Sequence, residues 1–136
     1  QASLESAESQ AREALHGTNT AATIRMHAHA QLASVLLDLA RPEEALESAQ
    51  EAGTIFGSIG QVGQAESFVR LVIAECHLRC DHKTQARAAL ASAHASLVIR
   101  FNRIEDSSLR LSFVEQVEEN ARIVQLAAEW GVNGEE

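Results

Sequence analysis

A short alanine signature recurs three times along this chain and constrains its fold more than any other feature. The copies are Ala7-x3-Ala11-x2-Ala14, Ala45-x3-Ala49-x2-Ala52 and Ala86-x3-Leu90-x2-Ala93. Residues at these offsets share one face of an α-helix, so each copy predicts a helix packed closely against another. The steps between copies, from Ala7 to Ala45 and from Ala45 to Ala86, are 38 and 41 residues. Such a period is typical of helical repeat arrays.

The composition favours helix throughout. The 136 residues include one proline and seven glycines, and 46% are hydrophobic. Good helix formers such as Ala, Leu, Glu and Gln are abundant, and no alternating apolar pattern bounded by turn residues indicates strands. The length suits a single domain with a buried core. We therefore predict an all-α fold.

Apolar periodicity and breaking residues predict five long helices. Their expected ranges are about 4–16, 20–40, 42–59, 64–80 and 83–102. Pro42 suits the first turn of a helix, where its missing N–H costs nothing, and the two glutamates after it complement the positive helix end. A shift of 41 residues places the apolar face of the fourth helix on that of the second. The superposed residues are Val69, Ile73, Ala74, Cys76 and Cys80 on Ala28, Leu32, Ala33, Val35 and Leu39.

This arrangement resembles the tetratricopeptide repeat, a pair of helices with small residues at its eighth, twentieth and twenty-seventh positions. Those positions hold Ala33, Ala45 and Ala52 in one copy and Ala74, Ala86 and Ala93 in the next. The aromatic positions of the family hold His29, Leu36, Arg70 and His77 instead, the closing proline is absent, and the period exceeds the family's. The resemblance implies a long-helix variant.

The resemblance covers about residues 1–104 and implies antiparallel helix-turn-helix repeats stacked as a short right-handed α-solenoid. Each repeat would consist of an A-helix followed by a B-helix. The first repeat would be reduced to its B-helix, since the chain begins Gln1-Ala2-Ser3-Leu4 without an initiator Met and runs directly into helical pattern. This opening favours a piece of a longer protein.

Residues 105–136 are expected to form closing helices and an acidic tail. Two apolar stripes predict two helices here: Leu109, Phe113 and Val117, then Ile123, Leu126, Ala127 and Trp130. The segment from Ser112 to Arg122 resembles the end of tetratricopeptide regions that follow kinase or ATPase modules in large bacterial signalling proteins, notably serine/threonine kinases. This resemblance implies a terminal scaffold and transfers no catalytic residue, because the kinase motifs are missing.

Net charge and hydropathy argue against two classes of partner, nucleic acid and membrane. The net charge of −8, with four Phe, one Trp and no Tyr, disfavours nucleic acid. No apolar run is long enough to span a membrane, and the first residues do not have the pattern of a signal peptide. Two cysteines four residues apart on a predicted helix favour a reducing cytoplasm. Glutamates crowd the last stretch, at Glu115, Glu118, Glu119, Glu129, Glu135 and Glu136. A solvated helix face is the simpler interpretation, and a site for a basic partner is the alternative.

Candidate chemistry is sparse. Cys76 and Cys80, with His77 and His82 nearby, are the one group that suggests a metal, but the cysteines align with Val35 and Leu39, which favours core packing. No histidine has the spacing of a metal or catalytic motif, and no nucleophile elbow or phosphate loop is present. We predict no cofactor, no metal and no enzymatic activity in this segment.

The family resemblance implies a concave groove lined by the A-helices. Its candidate residues are His27, Ala30, Ser34, Leu37 and Asp38 from one repeat and Phe68, Leu71, Glu75, Leu78 and Arg79 from the next. We expect Leu37, Phe68, Leu71, Glu75 and Arg79 to be at least partly accessible and to adjoin. The alternative is that neighbouring helices cover them.

Three functions follow from these features. The first is a scaffold that binds a protein, a peptide or neighbouring domains of its parent chain. The second is self-association through the first helix, whose stripe of Leu4, Ala7, Ala11 and Leu15 can only partly face the next helix, giving a homodimer or a contact with residues outside the sequence. The third is regulation of a kinase or ATPase located upstream.

Overall fold

A computed structural model describes residues 2–15, 21–59 and 65–132, and these residues form helices and turns without strands. The helices are α1 (Ala2–Leu15), α2 (Ala22–Asp38), α3 (Pro42–Ile59), α4 (Ala65–Arg79), α5 (Lys83–Asn102), α6 (Ser107–Glu115) and α7 (Glu118–Glu129). The all-α prediction is confirmed for this part of the chain. The expected turns at 17–19 and 60–63 lie outside the described residues. None of the described helices combines the length and the apolarity needed to cross a membrane.

The turn from α2 to α3 is a tight helix ending that recurs in the chain. The Ala40 N–H donates to the Leu37 carbonyl at 3.0 Å, and the Arg41 N–H donates to the Leu36 carbonyl at 2.8 Å. Ala40 has a φ of 61°, as does Asp81 in the turn from α4 to α5, where the same bonds recur. This pair of bonds around one left-handed residue is the Schellman motif. It ends α2 and α4 slightly before the expected residues.

Helix α7 ends in the same way. The Gly131 N–H donates to the Ala128 carbonyl at 3.2 Å, and the Val132 N–H donates to the Ala127 carbonyl at 2.9 Å. Gly131 has a φ of 66°, close to that of Ala40. Helix α7 therefore ends with the same pattern of hydrogen bonds as α2 and α4.

The helices pack mainly with their neighbours in the chain. Consecutive helices from α1 to α5 contact each other. In addition, α2 contacts α4, and α7 contacts both α4 and α5. The six alanines expected at helix crossings are completely buried: Ala33, Ala45, Ala52, Ala74, Ala86 and Ala93. Their burial confirms that small side chains stand where these helices meet.

The core has two clusters, and α4 contributes to both. One face of α4, with Val69, Val72 and Cys76, joins the cluster formed with α1, α2 and α3. Another face, with Leu71 and Ala74, joins the cluster formed with α5 and α7. Helix α4 is therefore the element that connects the two halves of the described chain.

The apolar stripe expected on α6 is largely wrong. No residue of α6 is buried, and Leu109 is 61% exposed. Phe113 alone among the α6 side chains packs against the second core cluster. The stripe expected on α7 is confirmed, because Ile123, Leu126 and Ala127 are buried. Helix α7, rather than α6, closes this side of the core.

Ion pairs connect α1 to the start of α3. Arg41 Nη1 lies 3.0 Å from Glu8 Oε1, and Arg41 Nε lies 2.8 Å from Glu44 Oε1. Arg12 Nη2 lies 2.8 Å from Glu8 Oε2. The hydrogen bond from Arg12, together with Arg41, lowers the pKa of the Glu8 carboxyl. The carboxylates of Glu8 and Glu44 therefore alternate with the guanidiniums of Arg12 and Arg41. These ion pairs join α1 to the start of α3.

Candidate functional site

A cavity between α2, α4 and α7 brings part of the predicted groove together. We call it the central cavity; its volume is about 280 Å³, and it is lined by Ser34, Phe68, Leu71, Glu75, Glu118, Glu119 and Arg122. Four of these residues, Ser34, Phe68, Leu71 and Glu75, are predicted groove residues. The other three come from α7, which lies outside the residues 1–104 that the family resemblance covers, so their place was not predicted.

The remaining groove candidates lie elsewhere. His27 is exposed on α2 at a different cavity, and Asp38 is exposed at the end of that helix. Ala30 is completely buried, and Leu78 packs against the second core cluster. Arg79 is exposed, and its Nη2 donates to a backbone carbonyl of α2 at 3.2 Å.

The expected accessibility of two leucines is wrong. Leu37 and Leu71 are each only 7% exposed. Leu37 belongs to the first core cluster and Leu71 to the second. Each leucine faces inward because the neighbouring helices cover it, which is the alternative that the sequence leaves open. Phe68, Glu75 and Arg79 keep at least partial exposure, as expected.

Phe68 provides the apolar part of the central cavity. Its ring is half-buried and packs against the first core cluster while also lining the cavity. A ring supported on one side and open on the other can receive an apolar side chain without first moving. Phe68 is therefore the best placed anchor for a bound segment.

Carboxylates surround this ring. Glu118 and Glu119 stand in the first turn of α7, where negative charge complements the helix N-terminus. Arg122 is the one cation among the described residues that line the central cavity. Its Nε lies 3.4 Å from Glu75 Oε2, and its Nη1 donates to the Gln125 side chain at 3.1 Å. Three carboxylates against one guanidinium leave the cavity negative.

A buried polar network positions α7 and therefore its glutamates. The Ser67 hydroxyl on α4 donates to Asn120 Oδ1 on α7, and both residues are only 1% exposed. Arg100 Nη2 donates to Ser67 Oγ at 2.9 Å, and Asn120 Nδ2 donates to the Phe113 carbonyl at 2.8 Å. Burial lowers the pKa of the Arg100 guanidinium. Because the hydroxyl and the amide are both bonded, the network fixes α7 on α4 without an unsatisfied group on either side chain.

Two further cavities lie at the ends of the helix array. The C-terminal cavity, between α5, α6 and α7, has a volume of about 630 Å³, and it is lined by His94, Leu97, Val98, Phe101, Val114, Glu115, Ala121, Val124 and Gln125. The N-terminal cavity, between α1 and α2, measures about 410 Å³ and is lined by Ala7, Gln10, Ala11, Ile24, His27, Ala28, Gln31 and Val35.

The residues predicted for self-association differ in burial and in position. Ala7 and Ala11 line the N-terminal cavity, although Ala11 is itself buried. Leu4 is half-buried. The side chain of Leu15 lies outside the described part of the structure.

The cysteines and their neighbouring histidines differ in burial, and Cys76 alone among them belongs to a core cluster of the described residues. Cys76 is buried as expected, whereas Cys80 is only half-buried, because it follows the end of α4. Burial raises the pKa of the Cys76 thiol to about 12, so it is protonated and a poor nucleophile at neutral pH. His77 Nδ1 and His82 Nδ1 lie 3.2 Å apart, and burial lowers the pKa of His77. Among the described residues, no three His, Cys, Asp or Glu side chains are grouped to hold a metal ion.

Comparisons with known proteins leave the site to be interpreted from its own geometry. No protein-family model, curated protein or solved structure matches this sequence. The features of the described residues include the central cavity with its aromatic ring and carboxylates, and the two cavities at the ends of the array.

Proposed function

We propose that this chain is a tetratricopeptide-like scaffold that binds a protein or peptide in the central cavity and acts without catalysis. In this proposal α2–α3 and α4–α5 are successive repeats of a short right-handed α-solenoid, and α7 is the A-helix of the next. The shared Schellman endings of α2, α4 and α7 support this assignment. So do the contacts of α2 with α4 and of α4 with α7, since A-helices of successive repeats lie side by side.

The chemistry of the central cavity favours a basic ligand with an apolar side chain. Glu75, Glu118 and Glu119 provide negative charge, and Phe68 provides a supported aromatic face. An extended peptide with a lysine or arginine close to a leucine or phenylalanine matches both features. The observation that carries this proposal is the half-buried Phe68 ring among three carboxylates.

The proposed cellular setting rests on the resemblance of the segment from Ser112 to Arg122. We place the chain in the cytoplasm of a bacterium, as the C-terminal scaffold of a large signalling protein. A regulatory segment of an upstream serine/threonine kinase or ATPase is the second candidate, because the same resemblance favours it. In that case the bound peptide belongs to the parent chain.

A panel of labelled peptides tests the ligand preference. Each peptide carries a lysine or arginine at a varied distance from a leucine or phenylalanine, and a matched set replaces the basic residue by glutamate. Fluorescence anisotropy should detect binding of the basic set alone. Phe68→Ala should weaken this binding by more than about 1 kcal/mol, and the double substitution Glu118→Lys/Glu119→Lys should remove it.

A matched control separates the site from general surface effects. Phe101→Ala removes another half-buried phenylalanine, which lines the C-terminal cavity instead. This variant should bind the basic peptides as the unmodified protein does. Equal loss in both phenylalanine variants, or binding of the glutamate set, would contradict the proposal.

A further inference from the structure

A cavity between α3, α4 and α5 contains a cluster of arginines in a protein that is acidic as a whole. We call it the arginine cavity; its volume is about 460 Å³, and its lining includes Arg70, Arg100 and Arg103. We propose that this cavity binds a phosphate monoester, with the phosphate on the arginines and the organic group on the apolar part of the lining. The arginine cavity shares no lining residue with the central cavity, so this inference goes beyond the proposed function.

The charges around the arginine cavity do not balance. Glu66 is the one carboxylate among the described residues that line it. Its Oε2 accepts hydrogen bonds from Arg70 Nε, at 3.0 Å, and from the Ser96 hydroxyl, and its Oε1 lies 4.0 Å from Arg100 Nε. One carboxylate against three guanidiniums leaves an excess of two positive charges, in a chain whose net charge is −8. A bound dianion would neutralise this excess.

Arg100 carries a buried charge that the protein compensates only in part. Its side chain is 17% exposed, and its Nε is buried without a hydrogen-bond partner in the described part of the chain. Its Nη2 donates at 2.9 Å to Ser67 Oγ, which is a neutral acceptor. A buried ion loses hydration that neutral neighbours replace incompletely. An anion in the cavity would therefore interact favourably with this guanidinium.

The other two arginines provide one positioned and one unused guanidinium. Arg70 is held by Glu66, and its guanidinium carbon lies 5.1 Å from the centre of the Phe56 ring. Arg103 is exposed just after α5, and its side chain makes no ion pair or hydrogen bond with another described residue. Because a guanidinium presents several N–H donors in one plane, it matches the oxygens of a phosphate. The donors of Arg103 are available for such a ligand.

The rest of the lining favours an ester over inorganic phosphate. Phe56 is half-buried, and Ile99 is 54% exposed. Inorganic phosphate would leave this apolar surface in water, whereas the organic group of an ester would cover it. Ser92 is exposed on α5 and has a hydroxyl that can donate to a phosphate oxygen. A phosphate monoester has a charge of about −1.5 to −2 at pH 7, which matches the excess of positive charge.

Isothermal titration calorimetry at low ionic strength tests the site with phenyl phosphate, inorganic phosphate and benzoate. Phenyl phosphate should bind at one site per chain. Inorganic phosphate lacks the apolar group and benzoate lacks the second charge, so both should bind more weakly. Arg103→Gln should weaken the binding of phenyl phosphate about tenfold, through the loss of a charge-assisted hydrogen bond. Ile99→Ala should weaken phenyl phosphate and leave inorganic phosphate unchanged.

The control is Lys83→Gln, which also removes one positive charge, at an exposed position at the start of α5 and outside the arginine cavity. This variant should bind phenyl phosphate as the unmodified protein does, and circular dichroism checks the helix content of all variants. Equal weakening in Lys83→Gln and Arg103→Gln would overturn the proposal, because it indicates a response to net charge alone. Failure of phenyl phosphate to bind, or equal binding of benzoate, would also overturn it.

A peptide probe distinguishes two sources of the ester, a small molecule and a phosphorylated protein segment. The probe is a phosphotyrosine flanked by alanines, and its affinity is compared with that of phenyl phosphate. Tighter binding of the peptide assigns the site to a phosphorylated segment, and equal or weaker binding assigns it to a small ester. Phe68→Ala should leave the binding of phenyl phosphate unchanged. The basic peptides of the central cavity are measured separately, so each proposal can fail alone.

Discussion

Two non-glycine residues of the described part of the chain adopt the left-handed backbone conformation, each just after the end of a helix. Ala40 and Asp81 each have a φ of 61°, and each closes a helix ending. For an ordinary L-residue this conformation costs about 1–2 kcal/mol, and aspartate adopts it more readily than alanine. The third ending has glycine, at Gly131. Backbone strain is therefore concentrated at Ala40.

Replacing Ala40 by glycine should stabilise the protein. Glycine raises the conformational entropy of the unfolded chain, but the relief of left-handed strain in the folded state is larger. We expect the free energy of unfolding, measured by urea denaturation, to rise by about 0.5–1 kcal/mol. Asp81→Gly should gain less. Ala88→Gly, at an exposed position inside α5, is the matched control and should lose about 0.5–1 kcal/mol. A loss at Ala40 as well would contradict the left-handed assignment.

His77 should make stability depend on pH. Burial lowers its pKa below the ordinary value of 6.5, and burial lowers the pKa of His29 in the same direction. Below about pH 6.5 the unfolded chain therefore binds more protons than the folded chain. The free energy of unfolding falls as the pH decreases through this range. His77→Leu, which introduces the residue found at the equivalent Leu36, should reduce the fall measured between about pH 7 and pH 5. His27→Leu, at an exposed position, is the control.

At the scale of helices, small residues set how closely the two members of a pair approach. Ala45 of α3 and Ala33 of α2 belong to one core cluster and are completely buried. Ala45→Leu adds three carbon atoms at this crossing and should cost about 1–3 kcal/mol through overpacking. Ala88→Leu on the exposed face of α5 should change stability little. Equal melting temperatures for the unmodified protein and Ala45→Leu would contradict the close crossing.

At the scale of the whole molecule, α4 should be the most stable element. It contributes to both core clusters, whereas α6 has no buried residue. Local opening requires the least loss of contact where few apolar side chains are buried. Native-state hydrogen exchange should therefore show the slowest amides in α4 and early exchange in α6. Uniform protection across all helices would indicate that the two clusters do not open separately.

The sequence by itself determined where most of the helices lie, because their positions follow from the spacing of apolar, small and turn residues within each helix. The bounds of α3 and α5 are those expected, and the six crossing alanines are buried as their spacing predicts. Turn residues and small-residue offsets act over one or two helical turns, so they can be interpreted without a partner. Ser34, Phe68, Leu71 and Glu75 of the central cavity were expected only from the resemblance to the tetratricopeptide repeat, which implies a groove along its A-helices.

The tertiary structure alone decided which faces are covered. Leu37 and Leu71 fit an open groove in sequence but are buried, because burial depends on the helices packed against them. Helix α7 lies outside the residues 1–104 that the family resemblance covers, so Glu118 and Glu119 could not be placed beside Phe68. Periodicity identifies the apolar face of a helix, but only the packing of the other helices decides whether that face is covered.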